Sequence, residues 1–107
     1  MTRMGGKVDL GHGRVLTVQT AAFSAASAQA ANPFGAQTFQ VRLVANAACH
    51  YRVGSGSQTA TTADVFLPAN WVEYVMVNPG ESIAAIEAAT GGLVTATAGT
   101  LWVTELG

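Results

Sequence analysis

Cys49 and His50 are an adjacent pair whose side chains could do nucleophilic chemistry, because a thiol needs a nearby base to become a thiolate. Their neighbours argue against it. Cys49, Tyr51 and Val53 alternate with His50 and Arg52, and along a strand adjacent side chains point to opposite faces and cannot hydrogen-bond to each other. Cys49 then reads as a small core residue and His50 as a surface or interface residue. A structural zinc needs about four ligands, whereas the chain offers Cys49, His12 and His50 before carboxylates are recruited. His12 lies between Gly11 and Gly13, where a lone imidazole is ordinarily solvated; the alternative is a metal shared across a symmetric oligomer. Glu81 and Glu87 suggest a glycosidase pair, but six strand residues hold them roughly 20 Å apart. Cooperating carboxyl groups need about 5 to 9.5 Å. The glycines form neither a phosphate loop nor a dinucleotide fingerprint. No catalytic, cofactor-binding or metal residue is therefore expected, and no cofactor.

The aromatic residues Trp71, Trp102, Tyr74 and Tyr51 have two common uses in β-proteins. They stack on sugars, or they fill cores and subunit interfaces, where aromatics are enriched. Composition favours the second. Only 10% of the 107 residues are charged against 50% hydrophobic, while an ordinary soluble domain carries roughly a quarter charged residues. A chain this poor in charge is expected to place much of its surface against protein. The basic residues Arg3, Lys7, Arg14, Arg42 and Arg52 are scattered and the formal net charge is -1, so no nucleic-acid partner is expected. No apolar run approaches the roughly 18 residues of a membrane-spanning helix, so no membrane partner is expected either. With Cys49 alone, no intrachain disulfide can form and stability must come from packing and association.

Stepwise along the chain, residues 1–13 are Gly-rich without apolar periodicity and read as an extended N-terminal arm, expected to lie on a neighbouring subunit. They lack the hydrophobic stretch of a secretory signal, so synthesis in the cytoplasm is expected. Residues 14–107 read as one β-sandwich domain. Arg14 to Thr20 is a β-branched run, hence a strand; in Ala21 to Ala31 helix and strand propensities compete. Asn32, Pro33 and Gly35 make a loop around Phe34. From Thr38 to Ala45, Phe39, Val41, Leu43 and Ala45 share one face, and Cys49 to Val53 repeats that pattern as a neighbour in the same sheet. Gly54 to Thr62 reads as an exposed loop. Val65 to Leu67 is a short strand, and Trp71 to Val77, apolar on both faces except for Glu73, reads as buried on one side and covered on the other. Asn78-Pro-Gly-Glu places Pro79 and Gly80 at the centre of a type II turn. Leu93 to Thr97 and Thr100 to Leu106 fit a closing hairpin. Short strands with Gly or Pro turns and no firm helix predict an all-β fold, a single antiparallel sandwich or jelly roll of about seven or eight strands.

The succession Thr38-Phe-Gln-Val-Arg-Leu-Val, Cys49-His-Tyr-Arg-Val-Gly, Ala60-Thr-Thr-Ala-Asp, Phe66-Leu-Pro-Ala-Asn, Val77-Asn-Pro-Gly-Glu and Gly99-Thr-Leu-Trp-Val-Thr-Glu-Leu resembles a group of small virion proteins of tailed bacteriophages. It spans roughly the last two thirds of the chain. Those proteins resemble capsid decoration, or cement, proteins. The resemblance implies a compact sandwich on the capsid surface, bound to the major capsid protein and to copies of itself, often as a homotrimer. Two alternatives stand beside it: a head-to-tail or tail-associated virion protein, and a carbohydrate-binding module that stacks sugars on Trp71 or Trp102. The residues expected at interfaces are Arg3, Lys7 and His12 in the arm, and His50, Trp71, Tyr74 and Trp102 in the sandwich.

Overall fold

Eight stretches in which apolar or β-branched residues recur at every second position form the strands of a computed structural model that describes residues 14–92 and 94–107. They are β1 (Val15–Phe23), β2 (Ala28–Gln29), β3 (Gln40–Ala45), β4 (Cys49–Ser55), β5 (Val65–Leu67), β6 (Glu73–Met76), β7 (Glu81–Glu87) and β8 (Gly99–Leu106). No helix occurs among the described residues. Two four-stranded antiparallel sheets pack face to face, the first in the order β1-β8-β3-β6 and the second in the order β2-β7-β4-β5. The pairings β1 with β8, β2 with β7, β3 with β6 and β4 with β5 are nested, as in a long hairpin rolled on itself. This is the jelly-roll winding of an all-β sandwich. The proposed arm, with Arg3, Lys7 and His12, lies outside the described residues.

The core follows from the alternation. Val41, Leu43 and Ala45 of β3 and Leu101 and Val103 of β8 point inward from the first sheet, meeting Cys49 and Tyr51 of β4 and Ile83 and Ala85 of β7 from the second. Where the Ala-rich stretch after Thr20 is regular it is strand, at Ala21–Phe23 and again at Ala28–Gln29, because Ala21 and Phe23 continue the inward alternation beside Leu101 and Gly99. Gly99 is required there: a Cβ at that position would stand 2.9 Å from the Ala47 Cβ and 3.0 Å from the Phe23 ring. At the C-terminal end the backbone amides and carbonyls of Arg14 and Gly107 bond each other, both at 2.8 Å.

Four local expectations are corrected. β3 and β4 are not sheet neighbours; the short link between Ala45 and Cys49 carries the chain from one sheet to the other, so that their apolar faces meet across the core. Residues 94–98 form no hairpin with β8, whose two flanks are occupied by β1 and β3; Val94 instead bridges to Gly91. Phe39 does not share the buried face of Val41 but is exposed, and Thr38 is fully buried in its place. The cause is Glu105, a buried carboxylate on the inner face of β8: it accepts hydrogen bonds from the Thr38 hydroxyl at 2.7 Å, the Gly35 amide at 2.9 Å and the Gln19 side chain at 3.4 Å. A buried carboxylate must find donors, and turning Thr38 inward to supply one turns Phe39 out.

The fourth correction concerns the stretch after β4. Gly54 and Ser55 belong to the strand; residues 56–64 are the expected, largely exposed loop, but they cross the outer face of the second sheet. The Gln58 amide donates to the Gln29 side chain at 2.6 Å and the Ala60 amide to the Ser27 hydroxyl at 2.8 Å. At the far side Asp64 pairs with Arg52 at 3.2 Å, and its carbonyl oxygen lies 2.9 Å from His50 Nδ1. Ala60 is buried, and so is Ala84 on the outer side of β7. The β2–β7 half of the second sheet is therefore covered on both faces, which explains why Ser82 to Ala85 are buried without alternation, whereas Arg52 and Phe66 on the outer side of β4 and β5 stay exposed.

Candidate interaction surface

The first sheet has no such cover among the described residues. Its outward side chains are Val18 and Thr20 of β1, Trp102 and Thr104 of β8, Arg42 and Val44 of β3, and Tyr74 and Met76 of β6. They lie in rungs set by the strand register: Val18, Thr104, Arg42 and Tyr74 form one, and Thr20, Trp102 and Val44 the next. Exposure is 55% at Val18, 39% at Trp102, 39% at Tyr74 and 72% at Met76. Among the described residues Arg42 is the single charged side chain on this face. The reading of Trp71 to Val77 as buried on one side and covered on the other is thus corrected: Glu73 and Val75 turn toward the core, while Tyr74 and Met76 are solvent-exposed. Glu73 can sit inward because it accepts a hydrogen bond from the Tyr51 hydroxyl at 3.1 Å. Burial, together with the Glu73 charge, pushes the Tyr51 pKa well above the ordinary tyrosine range.

Trp71 is placed by the turn that leads into β6. Asn70 adopts a left-handed φ of 61°, a conformation Asn tolerates, and its amide donates to the Ala45 carbonyl at 2.7 Å. Trp71 follows at 60% exposure. The four expected sandwich residues therefore do not form one cluster. Trp102 and Tyr74 share the open face, Trp71 lies two residues before its edge strand, and His50 belongs to the outer side of the opposite sheet. There its ring packs on Phe66, centroids 5.4 Å apart. Val18 and Met76 are members of the open face that sequence reading missed; alternation alone assigns them a side, but only strand order tells which side is left bare.

The candidate chemical groups are dispersed. Cys49 lies on the core side of β4 and His50 on the other, and burial pushes the Cys49 thiol up to about 11. Glu81 and Glu87 stand at opposite ends of β7. Among the described residues no three His, Cys, Asp or Glu side chains are placed to hold a metal ion. A cleft of about 420 Å³ opens at one end of the sandwich between Asn46, Phe66, Pro68 and Val94. Its one amide side chain, Asn46, already accepts the Thr100 amide at 2.8 Å, so the cleft lacks the convergent polar groups of a small-molecule site. Comparisons of the chain with protein-family models, with curated proteins and with solved structures find no match.

Proposed function

We propose that this chain is a structural subunit of a virion, a capsid decoration protein that binds the major capsid protein and copies of itself. The observation that carries the reading is the asymmetry of the sandwich. Among the described residues a segment of the chain crosses the β2–β7 half of one sheet, whereas none crosses the other, where Val18, Trp102 and Met76 are exposed and Arg42 is the single charge. Exposed apolar surface of this extent marks a protein interface, and the low charge of the whole chain agrees with it. Jelly rolls serve viral capsids and lectins alike, so the architecture is compatible with the role. A decoration protein acts by mass action: it binds the assembled lattice better than free capsid subunits and so shifts the equilibrium toward the shell. That task needs surface complementarity and no reaction.

The test is co-sedimentation of the purified chain with tailed-phage capsids. Saturable binding in a fixed ratio to the major capsid protein is expected, and Trp102→Glu, which puts a charge at the centre of the open face, should weaken it at least tenfold while leaving the fold intact. Absence of binding by the unaltered chain overturns the proposal. The exposed Trp71 and Trp102 favour sugar stacking as a second reading. A glycan array separates the two: saturable binding lost in Trp71→Ala or Trp102→Ala would replace the capsid role.

A further inference from the structure

The first sheet ends in two edges, β1 and β6, with no described strand beyond either. Natural proteins shield long edge strands with Lys, Pro or a covering segment. Among the described strands β1 is the longest, nine residues, and contains no charged residue and no proline; the shielding seen among the described residues is an irregularity in register between Val15 and Thr17 and the Asn32 backbone, which bonds the Gln19 side chain. Val15 is 62% exposed and Val18 55%. On the opposite edge, β6 carries one charge, Glu73, and that side chain is turned inward to Tyr51.

Direction and level make these two edges complementary. The four strands alternate strictly, so β1 and β6 run in opposite directions. A β1 laid beside the β6 of another copy therefore continues the alternation as an antiparallel pair. The register also aligns them. Val18 shares a rung with Tyr74 through Thr104 and Arg42, and Val15 shares one with Met76 through Leu106 and Gln40. The open half of β1 thus stands at the same height as β6, and the two join without stagger. Val18 and Tyr74 both point outward, so the junction makes the apolar stripe of one copy continuous with that of the next.

We propose that copies of this chain join edge to edge, β1 of one against β6 of the next, into a closed ring. This deepens the assembly reading above and rests on it. The interface is heterologous, and a rotation that closes gives a ring instead of a fibre. About four ladder residues a side make a weak single junction; closure gives every copy two, and the second is formed within the same assembly at high effective concentration.

Engineered cysteines test it, because Cys49, the only native one, is fully buried. Residues facing each other across strands have Cβ atoms about 4.5 to 5.5 Å apart, within reach of a short bis-maleimide. The chain carrying both Val18→Cys and Tyr74→Cys should give a covalent ladder that stops at the ring number, and each single variant should stay monomeric on a denaturing gel. Covalent dimers from Val18→Cys alone would mean that two β1 edges meet about a two-fold axis, and would overturn the proposal. So would a ladder without end, or no ladder from a doubly substituted chain with an unchanged circular dichroism spectrum. As a second measurement, Val18→Lys should shift the sedimentation profile to monomer; an unchanged oligomer counts against the junction. The two proposals fail separately: rings that do not sediment with capsids overturn the decoration role alone, and capsid binding without a ladder overturns the ring alone.

Discussion

Glu105 shows how one ionisable side chain fixes its surroundings. It is only 3% exposed, with no cation within ion-pairing distance among the described residues, and three donors from β1 and the 35–38 segment converge on it. Hydrogen bonds to a charged group contribute roughly 1.5 to 3 kcal/mol each, and stranding buried donors is what makes their loss expensive. Glu105→Ala is therefore expected to destabilise the fold by about 3 kcal/mol, and Glu105→Gln, which keeps one acceptor, by about half of that. Urea unfolding followed by tryptophan fluorescence measures both; a change below about 0.5 kcal/mol in Glu105→Ala would show that water replaces the carboxylate without loss. This pairing also marks the limit of what alternation can tell. The inward set Val41, Leu43 and Ala45 is legible in the sequence, yet the exchange of Thr38 for Phe39 is not, since it depends on a carboxylate 67 residues away.

Elements were legible where a local rule governs them and illegible where their neighbours do. The turn at Asn78-Pro-Gly-Glu is of the first kind: Gly80 has a φ of 85° and the Glu81 amide donates to the Asn78 carbonyl at 3.2 Å, as a type II turn requires. Gly80→Ala has open space for its methyl but a disfavoured backbone, so a loss of about 1 kcal/mol is expected. A thermal melt checks it, and an unchanged midpoint would mean that the turn relaxes to another type. The 56–64 segment is of the second kind. Its small polar residues carry no pattern, and it becomes a roof only because Ser27, Gln29, Arg52 and His50 happen to present partners along the outer face of the second sheet. The same holds for Trp71 to Met76, whose second apolar face is exposed because β6 belongs to the sheet that no described segment crosses.

At the scale of the whole molecule, protons are linked to folding mainly through two buried groups. Burial raises the Cys49 thiol from its usual 9.0 to about 11, and burial with the Glu73 charge raises Tyr51. Each folded-state value lies above the unfolded one, so as pH rises the unfolded chain releases these protons first. The stability that Cys49 contributes is full below about pH 8 and is lost as pH climbs through 9 to 11, and that of Tyr51 begins to be lost only above its ordinary value of 10. Cys49 alone accounts for a loss on the order of 2 to 3 kcal/mol by pH 11. Cys49→Ala should flatten the alkaline limb of a stability-against-pH curve by that amount, and an identical slope in the variant would refute the linkage. Asp64 has the opposite sign in acid: the Thr61 amide and Arg52 hold its carboxyl below the usual range, so its small contribution is present above the ordinary carboxylate value and fades as pH falls.

The reciprocal bonds between Arg14 and Gly107 have a practical corollary. They draw the start of β1 and the end of β8 to a single corner, so a tag or fluorescent cargo grafted after Gly107 departs beside the Val15 margin. Bulk attached there crowds one particular side of the molecule, whereas the same cargo spliced at Gly91 and Gly92 would leave that side clear.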